Sequence, residues 1–517
     1  MTLINMLNAS VVRNPEALAI VDGDKRLNYA QWFDEISLLA GGLNKLGLKP
    51  RDHFVVVLCN RMEMASLYWA SQMLGLIFTP FNWRATGSEI EYILVDAEAK
   101  AIAYEARSEL AVLDAIKGNP EFEERLICLD AGMRGFPFSD LLKQGKFHNY
   151  QCTDDRLSCL MLYTSGTTGR PKGVPRSHAA EIAASLGCIA QLRYRSNQVN
   201  LGVMPLFHTM GVRTLLMSVF LNGTFVCMPT YNVKKLLALV RSEKINTLFL
   251  VPTMFHDIVH SDVSDLDVAT VDNIAYAGMS MTTHLVDRCS KLFTDSLFSN
   301  FYGSSEIYTF AVRNNLAENP SSAGWAGIGQ VLKIVRADAG ELVNPDDEVP
   351  IGDTGEIVAS MQSLDAFEGY WKRPDADKKA IRDGWYFTGD LGRFDEKGEI
   401  YVLGRVDDMI ISGGENIYAE EVENILASSP DVHGVAVIGT SDDRWGERVT
   451  AYIEPKTLEA SAEVLDNFCL NSELARFKRP RAYAFVDQIP KSASGKLLRR
   501  KLREGNYNLL SEYKSTI

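Results

Sequence analysis

The densest run of potential phosphate ligands in the sequence is Tyr163-Thr-Ser-Gly-Thr-Thr-Gly-Arg-Pro-Lys-Gly-Val174. Gly166, Gly169 and Gly173 let the backbone curl with its N–H groups turned inward. Thr164, Ser165, Thr167 and Thr168 add hydroxyl donors, and Lys172 adds a positive charge. Together these groups can clamp a polyphosphate. The run is not a Walker A loop, because glycine rather than serine or threonine follows the lysine. An ordinary Gly/Thr-rich surface loop is the bland alternative. The position of the run argues against that reading, since it lies between the apolar Leu160–Leu162 and a helical pattern after Ser177.

Further chemistry-bearing segments follow in order: Tyr302-Gly-Ser-Ser-Glu306, Tyr386-Phe-Thr-Gly-Asp390, Gly404-Arg-Val-Asp-Asp-Met-Ile410 and Pro490-Lys-Ser-Ala-Ser-Gly-Lys496. With the Tyr163–Val174 loop, they resemble the ordered motifs of the adenylate-forming superfamily of acyl-CoA synthetases, luciferases and peptide-synthetase adenylation domains. The resemblance runs over essentially the whole chain. Gly202-Val-Met-Pro-Leu-Phe-His208, Arg405–Asn416, Arg444-Trp-Gly446 and Phe477-Lys-Arg-Pro480 are similar to the aryl-CoA ligases, 4-chlorobenzoate:CoA ligase among them.

The resemblance implies a two-step ligase. ATP first converts a carboxylate into an acyl-adenylate, and coenzyme A then takes the acyl group. Lys496 is implied as the cation that bridges the attacking carboxylate and the α-phosphate. Glu306 is implied as the Mg²⁺ ligand, a hard carboxylate beside phosphate oxygens. Ser305 would donate to the α-phosphate, Tyr302 would lie against adenine, Gly303 would belong to the same ATP/AMP site, and Asp390 would accept from the ribose hydroxyls with Arg405 beside it. Thr164 to Gly169 and Lys172 would hold the ATP phosphates. His208 would place the carboxylate, in an acyl pocket completed by Thr209, Met210, Gly278, Met279, Phe301 and Ile307. Thr209 and Met210 stand where the halobenzoate pocket has two valines, so the reading is an aromatic or alicyclic acid rather than 4-chlorobenzoate itself. Arg213 is read either as meeting a polar substituent or as a surface residue. Gly413 and Gly414 would pass a pantetheine arm, with Trp445, Arg479 and Arg481 as contacts for the CoA nucleotide. Asp407 is read as the hinge about which a C-terminal domain reorients between the two steps.

Those residues need a scaffold, and the patterning supplies one. Apolar, β-branched runs such as His53–Cys59, Asn246–Val251 and Asn273–Tyr276 alternate with helical stretches such as Met62–Leu74. This predicts an α/β protein with mostly parallel sheets. From about Val331 short strands dominate, which predicts a β-rich subdomain. After Gly404 compact α/β texture returns, with a helix over Glu420–Ala427, strands at Val435–Gly439 and Val449–Glu454, and a helix over Ser461–Leu474. The predicted division is a multi-subdomain N-terminal region, residues 1–406, and a small mobile cap, residues 407–517. Pro205–His208 is read as the end of a strand.

The chain has 517 residues, 46% hydrophobic and 23% charged, so it can bury large cores without disulfides or metal staples. Its net charge of −13 argues against a nucleic-acid binder, whose main contacts neutralise phosphates. The eight cysteines form no Cys-x-x-Cys pair and mostly fall in apolar stretches, the pattern of buried thiols in a reducing compartment. There is no signal-peptide pattern and no run long enough to span a bilayer, so a cytoplasmic protein without a membrane span is expected. A homodimer is a family-level expectation. Three alternatives stand beside the aryl-CoA ligase. They are a short- or medium-chain fatty acyl-CoA synthetase, a stand-alone enzyme that loads a carrier-protein thiol, and a zinc hydrolase using His256 and His260, which have the i, i+4 spacing of a metal-binding helix.

Overall fold

The computed structural model describes residues 1–149, 154–164, 170–337, 343–413, 415–456, 460–491 and 497–514. Among these residues the strands gather into four sheets. A seven-stranded sheet runs Phe136–Pro137, Leu126–Cys128, Ala101–Tyr104, His53–Val57, Ile77–Pro80, Ser158–Thr164, Lys172–Ser177. It is parallel except for the last pair, which is antiparallel. A nine-stranded sheet is parallel through Leu297–Tyr302, Asn273–Tyr276, Thr247–Leu250, Val199–Gly202 and Thr224–Cys227, with antiparallel strands at its edges. Every residue of His53–Val57 is buried, which is why that strand is apolar without alternation.

The two sheets share one core. Phe54, Phe78 and Leu160 of the first pack in the same cluster as Ile20 and Phe225 of the second. Helix Met62–Leu74 belongs to that cluster and is buried on every face. Helix Thr209–Phe220 is nearly as deep, with only its first residue outside the buried set. A helix buried on every face belongs in an interior, so these two lie within the core of the two sheets rather than on its surface.

The β-rich stretch forms a five-stranded antiparallel sheet from Leu332–Val335, Gly355–Ser360, Trp385–Phe394, Ile381–Arg382 and Ile400–Arg405. Its core includes Ile307 and Phe310 from the preceding region. Beyond it a six-stranded sheet is built wholly from Ile410 onward, with its own core under helices Ala419–Ala427 and Ala462–Leu470. Strand Val432–Asp442 is longer than the pattern predicts, because it pairs along nearly its whole length with Gly446–Pro455. The helix expected to reach Leu474 stops at Leu470. The Ser472 hydroxyl and Asn471 amide donate to the carbonyls of Cys469 and Asn467, at 2.7 and 2.8 Å, and so compete with the next turn. Pro205–His208 is a turn rather than a strand, closed by the His208 N–H on the Pro205 carbonyl at 2.9 Å.

The seven cysteines among the described residues are buried free thiols, and Cys152 lies outside them. No helix among the described residues is long and apolar enough to cross a membrane.

Two buried imidazoles tie stability to pH. His53 is 4% exposed, its Nδ1 bonded to the Thr79 hydroxyl, and burial pushes its pKa down to about 4. His178 is 1% exposed, its Nδ1 accepting from the Leu3 N–H, and burial pushes it down to about 4 as well. An unfolded histidine titrates near 6.5. The stability from holding both rings neutral is therefore complete above about pH 6.5 and is lost as pH falls from there towards 4. Urea midpoints should fall steeply over that window in the wild type and less steeply in the His53→Gln/His178→Gln double variant. An unchanged slope in the variant would assign the acid sensitivity to other groups.

Candidate active site

Strands Ser158–Thr164 and Lys172–Ser177 face each other with Thr164 opposite Lys172. The segment between them carries Ser165, Gly166, Thr167, Thr168 and Gly169, which lie outside the described residues. Lys172 leaves this hairpin with its Nζ 3.9 Å from the centre of the Tyr370 ring. The Tyr370 hydroxyl donates to Glu306 Oε1 at 2.7 Å, and Glu306 is 6% exposed. Burial lowers the Lys172 pKa, and Glu306 opposes that shift. No described residue hydrogen-bonds the second Glu306 oxygen.

Further along the second strand, Arg176 forms a fully buried ion pair with Glu181 at 2.8 Å. Its Nη1 donates to the Glu306 carbonyl at 2.9 Å, and its guanidinium lies 4.0 Å from the centre of the Tyr308 ring. The loop Tyr302–Tyr308 is thus anchored from below. It closes tightly: a Cβ at Gly303 would meet the Tyr308 carbonyl oxygen at 2.0 Å, so only glycine fits. Within the loop the Ser304 hydroxyl accepts from the N–H groups of Glu306 and Ile307, and Ser305 is half-buried beside it.

On the other flank three predicted residues converge. The Tyr302 hydroxyl donates to Asp390 Oδ2 at 2.6 Å, and Arg405 Nη1 donates to Asp390 Oδ1 at 2.6 Å. Asp390 and Arg405 are register partners on neighbouring strands, so the pair is set by the sheet. Arg405 also donates to the Thr388 carbonyl at 2.9 Å.

Beside the Tyr302–Tyr308 loop is a cavity of about 110 Å³. His208, Thr209, Met210, Gly278 and Phe301 line it, joined by Met204, Val251, Ala277, Ser304 and Tyr308. Met279 and Ile307 do not. Ile307 is wholly buried in the core of the five-stranded sheet, bridged to Ala366, because loop closure turns it away from the cavity. Arg213 is not a surface residue: it is 2% exposed and lines the cavity. His208 sits at the N-terminus of helix Thr209–Phe220, and burial lowers its pKa to about 4, so the ring is neutral at physiological pH. The turn before it is clamped by Asn60. That side chain donates to the carbonyls of Gly202 and Met204 and accepts from the Leu206 N–H.

Asn60, Tyr370 and Arg176 were not legible as site residues. Each is distant in sequence from the motif it supports, and nothing local marks it.

In the C-terminal region Gly413 has φ +63°, and a Cβ there would meet the Trp445 ring at 2.7 Å. The Gly413 N–H donates to the Trp445 carbonyl at 2.8 Å. The guanidiniums of Arg444 and Arg481 lie 4.7 and 4.6 Å from the centre of the Trp445 ring. Arg479 is directed elsewhere, to Asp466 at 2.8 Å. Asp407 is exposed in a short 3-10 turn, Val406–Asp408, whose Asp408 pairs with Arg499 and Arg503. Gly414 and Lys496 lie outside the described residues. Across from the N-terminal sheets, the Ser280 hydroxyl donates to Glu420 Oε2 at 3.2 Å.

The histidine pair of the hydrolase reading lacks a free ligand geometry. His260 Nδ1 is bonded to the His256 carbonyl at 2.8 Å, and its Nε2 to Arg288 at 2.6 Å. No cluster of metal-ligating side chains occurs among the described residues.

The architecture has counterparts. The AMP-binding enzyme family matches residues 7–371, and the AMP-binding enzyme C-terminal domain matches residues 421–496. The chain belongs to the AMP-binding enzyme family. It is 31% identical over 515 residues to 4-chlorobenzoate–CoA ligase of Arthrobacter, covering 97% of this chain and 95% of that one. It is 30% identical over 507 residues to feruloyl-CoA synthase of Amycolatopsis, covering 95% and 96%. Among solved structures it resembles ATP-bound MatB of Rhodopseudomonas palustris, with a TM-score of 0.87, 26% identity, and coverage of 98% and 99%.

Removing one partner of a fully buried ion pair strands the other charge, a loss of about 3–5 kcal/mol. Arg176→Met and Glu181→Leu should each lower unfolding free energy by that order in urea titrations. The double variant should recover most of it. Additive losses would mean that the pair is not coupled.

Proposed function

We propose that this protein is an ATP-dependent carboxylate–CoA ligase that forms an acyl-adenylate and then a thioester. The observation that carries the reading is the meeting, around one loop, of the Tyr302–Asp390–Arg405 cluster, the Glu306–Tyr370–Lys172 cluster and an acyl-sized cavity fronted by a neutral histidine.

A carboxylate is a poor electrophile, because resonance and its charge repel nucleophiles. In the first step its oxygen attacks the α-phosphorus of ATP, the bond to the bridging oxygen breaks, and pyrophosphate leaves. Two anions must approach, so their charges must be offset. Lys172 and the loop residues Thr164 to Gly169 would hold the phosphates, with Ser305 on the α-phosphate and Lys496 where the two anions meet. Glu306, with one oxygen committed to Tyr370, would hold Mg²⁺, which supplies charge neutralisation when bound. Asp390 would exchange the Tyr302 and Arg405 donors for the ribose hydroxyls, or share them. His208, neutral, can donate to the carboxylate without trapping it as an ion pair.

In the second step the CoA sulfur attacks the acyl carbon, the mixed-anhydride C–O bond breaks, and AMP leaves. The Trp445 ring with Arg481 beside it is a surface for the CoA nucleotide, and Gly413 keeps that ring close to the backbone. Arg479, tied to Asp466, supports the site from outside rather than contacting CoA. We assign residues 1–406 and 407–517 as the two domains that alternate between steps about Asp407.

An aromatic acid is the favoured substrate class. The relatives named for chlorobenzoate and ferulate support it, as do the Phe301, Tyr308 and methionine walls of the cavity.

With ATP, Mg²⁺, CoA and a panel of aromatic, alicyclic and linear acids, the protein should release AMP and pyrophosphate. Release of ADP would refute the two-step course. Lys496→Ala should abolish pyrophosphate release yet still convert supplied acyl-AMP to the thioester, and equal loss of both would refute domain alternation. Trp445→Ala and Arg481→Ala should raise the KM for CoA about tenfold, the loss of a single contact of about 1.4 kcal/mol, with Arg479→Ala the milder change. An unchanged KM in all three would point to a carrier-protein thiol as acceptor.

A further inference from the structure

The cavity contains a charge that the ligase reaction leaves unexplained. Arg213, on helix Thr209–Phe220, is 2% exposed and lines the cavity. Its guanidinium lies 4.8 Å from the centre of the Phe301 ring, 5.2 Å from that of Tyr308 and 5.5 Å from that of Phe249. Its Nη1 makes a long hydrogen bond, 3.5 Å to the Tyr308 carbonyl, its side chain also hydrogen-bonds the uncharged Cys188 thiol, and its buried Nε has no partner among the described residues. The Cys188 thiol adjoins it, but burial raises that thiol to about pKa 11, so it offers no negative charge at neutral pH. The Glu181 carboxylate that faces Tyr308 is held by Arg176.

A buried arginine is ordinarily paired with an anion, because leaving its charge unpaired in a poorly solvated site is costly. Aromatic faces offset part of that cost but do not satisfy an N–H donor. The missing acceptor therefore belongs to something that enters the cavity. His208 heads the same helix. Five residues at about 1.5 Å each set its level about 7.5 Å from that of Arg213. A benzene ring with carboxyl groups at opposite corners, or a linear diacid of similar length, spans such a distance.

We propose that Arg213 is the specificity residue of the acyl cavity and that the substrate carries a second carboxylate at the end remote from the reacting one. The proposal deepens the ligase reading and rests on it. The apolar walls hold the body of the acid, the His208 end presents one carboxylate to ATP, and the Arg213 fork receives the other. Such a substrate would reach the cavity doubly charged. The chemical class that supplies it is one that leaves acids at both ends, as oxidation of a para-substituted toluate or of a chain terminus does.

The test compares isosteric acids in wild type, Arg213→Met and Arg213→Lys. The probes are terephthalate against 4-methylbenzoate and adipate against hexanoate, read both as pyrophosphate release and, without ATP, as binding by calorimetry. In wild type each diacid should exceed its monoacid at least tenfold in kcat/KM and in affinity. Arg213→Met should invert that preference, and Arg213→Lys should keep its direction at reduced size. A wild type that favours the monoacid in both series overturns the proposal, whether or not the methionine variant folds. So does a preference that survives Arg213→Met. A diacid binding preference that is intact, with no ATP-dependent pyrophosphate release from any acid, would fault the ligase reading and leave the subsite standing.

Discussion

The site depends on a single interior interaction, the ion pair of Arg176 and Glu181. Neither side chain has any exposed surface. The pair joins strand Lys172–Ser177 to the helix His178–Gln191 that follows it. Through the Glu306 carbonyl and the Tyr308 ring it also holds the loop from the other large sheet. Burying two charges costs several kcal/mol per ion before their attraction is counted. An apolar pair of the same volume would pack at least as well. What the ion pair adds is direction: a guanidinium fork can fix a carboxylate, a backbone carbonyl and a ring face in one geometry. Strand Lys172–Ser177 and the Tyr302–Tyr308 loop come from different sheets, and this arginine sets their relative position.

Around that anchor the protein places cations sparingly. The chain carries a net charge of −13, and each positive group at the candidate site rests against a defined neighbour or wall. Lys172 lies over Tyr370, Arg405 meets Asp390, Arg213 is at the cavity and Arg481 is beside Trp445. Most already rest against a carboxylate or a ring. A ligand must therefore displace or share a partner, and the donors are pre-oriented before it arrives. Arg213 differs in that its ring contacts leave a donor unused.

The fold was legible to the extent that burial imposes a pattern. Parallel strands covered on both faces read as unbroken apolar runs, and Met62–Leu74 read as a helix. The short antiparallel strands after Val331 showed as a change in texture. Errors came where a local polar group overrode periodicity. Asn471 and Ser472 ended a helix early by taking its carbonyls. The apolar Pro205–His208 looks like a strand, but Asn60, far upstream, folds it into a turn. Of the acyl-pocket residues, Ile307 followed the motif in sequence yet faces another core.

By itself the sequence determined the kinds of groups present and their order: a glycine- and hydroxyl-rich loop, a Tyr-to-Glu loop, an aspartate and an arginine near the start of the last domain-sized segment. Those are local properties, fixed by residue type and short spacing. Only the tertiary structure decided which groups share a partner. That Tyr302 and Arg405 hold the same carboxylate, that Tyr370 bridges Lys172 and Glu306, that Arg479 turns to Asp466 while Arg481 stacks on Trp445, and that Arg213 is buried without an anion all depend on register between strands and on packing between sheets. Such contacts join residues tens to hundreds of positions apart, and side-chain types alone do not select among the many pairings they permit.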